Sequence, residues 1–177
     1  MQYGYFFVVT NIKSVFEFFE NNEALRLRKI SDHFLAEGAL EENHTLIRLS
    51  VVAHALSKIL EKSYYKKKKS EWERFVKKIK TGLSELVENK DAINKIEAAI
   101  IELDECFGRY SDNILHISKV RKGSNLYAWG ITLTYAAKLV GIDESEILSQ
   151  SGQTRMVDED GITINAEARL KNLEGMM

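Results

Sequence analysis

An all-α fold, mainly an antiparallel bundle of long helices with a small C-terminal helical module, is what this sequence predicts. Three observations predict it. Apolar residues recur at alternating spacings of three and four along most of the chain, the period of a helix with one buried face. Proline is absent from all 177 residues, as suits helices that tolerate no interior break. The polar stretches between the periodic segments are short, which makes sequential helices antiparallel neighbours.

At the N-terminus, Tyr3, Tyr5, Phe7 and Val9 alternate as a strand would, with Thr10 or Asn11 placed to cap the next segment. Ile12, Phe16 and Phe19 mark a short helix that breaks near Asn21 and Asn22. Leu27, Ile30 and Phe34 define a second helix, for which Gly38 is the expected stop. A third helix spans about Glu41 to Tyr65 with Leu46, Leu49, Ala53, Leu56 and Leu60 on its face, and Lys66–Lys69 comes next as a hydrophilic connector. Trp72, Phe75, Ile79, Leu83 and Leu86 form the next stripe. The longest run is Ile93, Ile96, Ile100, Leu103, Phe107, Tyr110, Ile114 and Ile117, which predicts one continuous helix packed at a shallow angle.

Beyond Gly123 the pattern changes. Ser124 is placed to cap a compact helix through Leu126, Trp129, Leu133, Ala137 and Val140, ended by Gly141. Asp143 and Glu146 form a capping-box-like start for a short helix over 144–149. Residues 154–165 read as a small β-hairpin around the acidic turn Asp158–Gly161, and Ala166–Leu173 as a last helix. The expected organisation is therefore a bundle over 1–122, with a strand over 3–9, and a C-terminal module over 123–177 packed on it.

Composition narrows the function classes. The formal net charge is −1, so contact with nucleic acid would need a local basic patch. A single cysteine, Cys106, excludes a disulfide framework and a four-cysteine zinc site, and suits a reducing compartment. No apolar stretch is long enough to span a bilayer and the first residues lack a signal-peptide pattern, so the expected location is cytoplasmic, with no membrane contact. Richness in Lys, Glu and Ile is the composition of heat-adapted proteins. No Gly-rich phosphate loop is present, and His33, His44, His54 and His116 form no ligand pair at helical spacing. No cofactor and no metal are expected.

Three groups of residues carry candidate chemistry. On the expected long helix, Arg109 and His116 are two turns apart with Asp112 one turn before the histidine, a placement that would orient the imidazole. An Arg and a His side by side suit metal-free RNA cleavage, by charge stabilisation and proton transfer; the competing reading is a solvated face with local ion pairs. A Cys106–His116 catalytic pair on one helix is excluded, since ten residues span about 15 Å. Arg109-Tyr110-Ser111-Asp112-Asn113-Ile114-Leu115-His116 resembles the Arg/His motif of the HEPN helical family, over a bundle of roughly residues 20 to 120. Arg28-Lys29-Ile30-Ser31-Asp32-His33 matches nominally, but its offset separates the two side chains by roughly 140° on a helix. The resemblance implies a metal-independent ribonuclease using Arg109 and His116, with Asp112 as orienter and two copies meeting across the helix. Tyr110 departs from it, because the family carries a polar residue after the Arg.

The second group is Leu133 to Gly152, where Ala136, Ala137, Val140, Gly141, Ile142 and Ile147 resemble the generic helix-turn-helix pattern. Against DNA reading stand Gln150 at a normally apolar place and the carboxylates Asp143, Glu144 and Glu146. The third group comprises the basic residues Lys66, Lys67, Lys68 and Lys69 behind Tyr64 and Tyr65, with Lys119, Arg121 and Lys122. Aromatics beside cations stack bases and neutralise phosphates, although such a run also serves as a plain connector. Tyr127-Ala128-Trp129-Gly130 and the composition are similar to uncharacterised helical proteins of archaeal type, a likeness that implies no activity. The leading expectation is a non-enzymatic binding or adaptor protein whose partner is protein or nucleic acid. The aromatic N-terminal strand leaves room for completion by a second copy, a homo-oligomer.

Overall fold

The computed structural model describes residues 12–108 and 113–154, and over these the protein is all-helical, with no strand among the described residues. Helix α1 covers residues 12–20. Then come α2 (Ala24–Leu40), α3 (His44–Glu61), a 3-10 turn (Ser63–Lys67), α4 (Lys69–Leu86), α5 (Ala92–Cys106), α6 (Ile114–Ala128), α7 (Leu133–Val140) and α8 (Glu144–Thr154). No described helix is long and apolar enough to cross a membrane. The expected strand over 3–9, the hairpin beyond Thr154 and the last helix lie outside the described residues, while Thr154 itself closes α8.

The organising element is α3. Thirteen of its eighteen residues are buried, which only a helix wrapped by others can show. Asn43 starts it, its side-chain oxygen accepting from the N–H groups of Thr45 and Leu46 at 3.1 and 3.3 Å. The helices α2 and α3 form one antiparallel hairpin, α4 and α5 a second. The main core joins Phe19, Leu27 and Phe34 from the first helices to Leu49, Leu56 and Ile59 of α3, Phe75, Ile79 and Leu83 of α4, and Ile93, Ile96 and Ile100 of α5. A second cluster links Leu35 and Ile47 to Leu126 of α6, Ala136, Leu139 and Val140 of α7 and Ile147 of α8.

Three expectations from periodicity are corrected. Gly38 does not stop α2, which runs on to Leu40. A Cβ at Gly38 would lie 2.9 Å from the Ile47 backbone nitrogen, so this glycine lets α2 and α3 approach rather than part. The continuous helix through residues 93–117 is two helices. Helix α5 ends at Cys106, Gly108 takes φ +71°, and α6 starts after the extended Asn113. The apolar alternation survives the break because Ile114 is buried at the start of α6, whereas Ile117 is 43% exposed. Ser124 caps nothing: it lies inside α6, which continues to Ala128. Gly123 is likewise interior to α6, and its missing side chain is filled by Ile147 of α8, whose Cδ1 would stand 2.8 Å from an added Cβ.

The α5–α6 junction has an identifiable cause. The carboxylate of Asp104, fully buried, accepts the Tyr65 hydroxyl at one oxygen and the Ile114 N–H at the other, 2.6 Å away. An acid at the first turn of α6 satisfies an otherwise orphaned N–H and meets the positive end of the helix dipole. Burial first, and the bond to Asp104 second, push the Tyr65 phenol well above its ordinary range, so it stays a donor. Asn113 adds a second cap, accepting from the His116 N–H at 2.6 Å.

Candidate functional site: a cationic cleft between four helices

The α2–α3 hairpin and the α6–α8 pair meet along a cleft of about 370 Å³. Three of the four contributing helices bring polar side chains one turn apart, beside their apolar stripes. From α2 come Arg28 and Asp32, from α3 His54 and Lys58, and from α6 Arg121 and Asn125; Gln150 of α8 lines it as well. Residues four apart project in nearly the same direction, so each of the three presents its pair as a unit. Ile117, one turn before Arg121, supplies an apolar wall.

The electrostatics are one-sided. Lys122 is 1% exposed and donates to Asp32 Oδ1 at 2.7 Å. Burial lowers its pKa and Asp32 pulls the other way, the exposed carboxylate being what keeps a buried ammonium tenable. Arg28 and Lys58 both engage Glu61 at the end of α3, and Arg121 is exposed. Four cations thus face two carboxylates. His54 sits among them, its Nδ1 2.9 Å from the buried Ser118 hydroxyl. Desolvation, then the charges of Lys122, Lys58, Arg28 and Arg121, push its pKa down to about 3, so the ring is neutral near neutral pH. This Ser–His contact is not a hydrolytic pair, because Ser118 is fully buried inside α6 and such a histidine is too weak a base for that task.

The residues singled out from sequence disperse. Arg121 and Lys122 enter the cleft. Lys119 turns to another face of α6, where it lines a separate groove with Arg48, Glu97 and Lys138. Lys66 bonds Asn22 at 2.6 Å and lies over Trp72; Lys68 donates to the Cys106 carbonyl and lies over Phe107. Lys67 and Lys69 are exposed. None of the four lysines of this run lines the cleft. Tyr65, expected beside that run as a stacking ring, is buried against Asp104 and Phe107 and cannot receive a base. Arg109 and Asp112 lie outside the described residues. His116 is at the start of α6 with Nε2 2.5 Å from Glu146 Oε2, and Cys106 Sγ stands 3.9 Å from Glu71 Oε2.

The segment read as helix-turn-helix does form two helices joined by residues 141–143, with Gly141 left-handed at φ +70° and the Asp143 N–H bonded to Glu146 Oε1 at 3.2 Å. Ala136, Ala137, Val140 and Ile147 are buried as that pattern requires. Yet α8 contains no Lys or Arg and opens on Glu144 and Glu146, which turns negative charge toward any phosphate it would meet. Among the described residues no three His, Cys, Asp or Glu side chains converge as a metal site.

Sequence reading missed Arg28, Asp32, His54 and Lys58. The signal available was the one-turn polar pair on each helix, but such pairs decorate most amphipathic helices. Only the packing of α2 and α3 against α6 makes these pairs face one another. No protein-family model, curated protein or solved structure gave a significant match to this chain.

Proposed function

We propose that this chain is a non-enzymatic binding protein that takes an anionic group of its partner into the cleft between α2, α3, α6 and α8. The observation that carries the reading is the surplus of positive charge around a neutral histidine, in a recess of the size used for small ligands. Low-dielectric walls focus the field of such a cleft and raise the local concentration of anions. Nucleic acid is the partner class favoured by the chain's basic residues, with Arg121 and Lys122 at the cleft and Lys67 and Lys69 on a second exposed surface.

The test is binding of labelled single-stranded RNA and DNA by fluorescence anisotropy across a salt series, with Arg121→Glu as the cleft variant. Affinity that falls steeply with salt and drops at least tenfold in the variant is expected. Binding indifferent to the substitution would remove the cleft from the function. Incubating the same RNA with His116→Ala separates this reading from the HEPN-like ribonuclease, which requires cleavage by the parent protein and its loss in the variant. Intact RNA in both is the outcome expected here.

A further inference from the structure

The cleft is rich in donors and poor in acceptors to a degree that its own ion pairs do not use up. Lys122 is almost wholly buried, and an ammonium has three N–H donors; among the described residues only Asp32 accepts from it. The Nε of Arg28 is buried with no partner among the described residues, while Nη2 of the same side chain is held by Glu61. Buried donors left without acceptors are costly, and such groups are normally satisfied by something.

His54 adds a donor that carries no charge. The only hydrogen-bond partner of the Ser118 hydroxyl among the described residues is His54 Nδ1. The serines of α2 and α3 donate instead to backbone carbonyls, as Ser31, Ser50 and Ser57 do. A buried hydroxyl donates where it has an acceptor, so the Ser118 proton points to Nδ1. In a neutral imidazole the other nitrogen then holds the ring proton. His54 therefore offers Nε2–H, and Ser118 fixes that tautomer from behind.

We propose that the cleft binds a terminal phosphoryl group as its dianion, with Arg28 Nε, Lys122 Nζ, Arg121 and His54 Nε2–H as donors to its oxygens. This rests on the anion-binding reading above and narrows it. A phosphomonoester carries about −1.5 to −2 at neutral pH and three acceptor oxygens. That matches four cations facing two carboxylates better than the single charge and two oxygens of a carboxylate. A phosphodiester within a nucleic-acid backbone carries only one charge, so it matches this surplus less well than a terminal phosphoryl group does. Ile117, exposed at the rim, offers contact to whatever organic body bears the group. Two sources supply this chemistry: free phosphate or a small phosphorylated molecule, and the 5′-phosphate of a nucleic-acid end.

The experiment uses the full chain at low salt and neutral pH, titrated with inorganic phosphate and, separately, acetate, and followed by ¹⁵N-resolved NMR of the His54 ring and arginine side chains. Phosphate is expected to shift the His54 Nε2 and Arg28 Nε signals at least tenfold more tightly than acetate does. The free-state ring should show the Nε2–H tautomer. Arg121→Glu should weaken phosphate at least tenfold. His54→Gln should weaken it severalfold, while far-UV circular dichroism shows both variants folded. Single-stranded RNA with and without a 5′-phosphate then names the source: a gain in affinity from the phosphate assigns nucleic-acid ends, and none assigns a small phosphorylated molecule. Equal response to acetate and phosphate, or no phosphate response at the cleft, overturns the proposal. RNA binding that still depends on Arg121 in that case leaves the broader reading standing; no Arg121-dependent binding of any anion removes both.

Discussion

Asp104 at the α5–α6 junction and Lys122 at the cleft are both buried charges, and the fold treats them in opposite ways. Asp104 is surrounded by donors that the chain supplies: the Tyr65 hydroxyl and the Ile114 N–H, at the positive end of α6. Both of its carboxylate oxygens are engaged by donors among the described residues. Lys122 has one carboxylate, itself half in solvent, and shares its surroundings with Arg28, Lys58 and Arg121. A buried charge satisfied from within holds the architecture together. One left in a surplus of its own sign is what the proposed binding site is built on.

Breaking the satisfied side is expected to cost most. Asp104→Ala removes the carboxylate that accepts from Tyr65 and from the first N–H of α6, and removing one partner of a buried charged network costs about 3 to 5 kcal/mol. Urea unfolding followed by circular dichroism measures it, and a loss below about 1 kcal/mol would show that α6 does not depend on this carboxylate. Next comes the packing that closes the cleft. Gly123→Ala pushes a Cβ into Ile147 and Val140, and overpacking of this kind costs about 1 to 3 kcal/mol. Anything above the low end of that range exceeds the helix-propensity gain of roughly 1 kcal/mol that alanine brings over glycine, so a net loss is expected. A net stabilisation would mean that α8 shifts without strain.

Acidification probes the other side. The His54 pKa is about 3 in the folded protein and near 6.5 unfolded. Between those values the unfolded chain binds the extra proton, so stability falls as pH drops from about 6.5 toward 3, by about 1.4 kcal/mol per unit. Glu37, whose carboxyl is raised by burial and by Glu41, works in the opposite sense, since its folded form takes up a proton more readily. Both effects are present in the parent protein, and His54→Gln removes the histidine's share while leaving that of Glu37 in place. The difference in pH slope between the two proteins isolates the histidine, and identical slopes would show that His54 protonates freely in the fold. The smallest effect is expected from Lys67→Glu with Lys69→Glu on their exposed surface, within about 0.5 kcal/mol of stability. A larger loss in thermal or urea unfolding would give these lysines a structural role that their exposure does not indicate.

How much of the fold is legible in the sequence depends on the range of the interaction responsible. The buried stripes of α3, α4 and α5, the break at Asn21–Asn22, the left-handed stop at Gly141 and the Asp143–Glu146 start all depend on residues within one or two turns, and each is readable from spacing. Spacing misleads where a distant residue intervenes. Gly38 looks like a helix end and Ser124 like a helix start until Ile47 and Ile147 are seen against Gly38 and Gly123. The stripe through Leu103 and Ile114 looks continuous because both residues do reach the core. The break between them is made by Gly108 together with a buried aspartate whose other partner, Tyr65, is 39 residues away.

The candidate site shows the same division more sharply. The sequence by itself determined that the chain is helical, which faces are apolar and where the local caps fall, because those outcomes rest on backbone periodicity and neighbours in sequence. It also pointed to Arg121 and Lys122, although as members of a basic run rather than of a pocket. Only the tertiary structure decided that Lys122 is buried, that His54 is held neutral, and that Arg28 and Lys58 stand across from Arg121. Those properties come from desolvation and from charges on three different helices. Such fields add through space, between residues up to 90 positions apart, and no spacing along the chain records them.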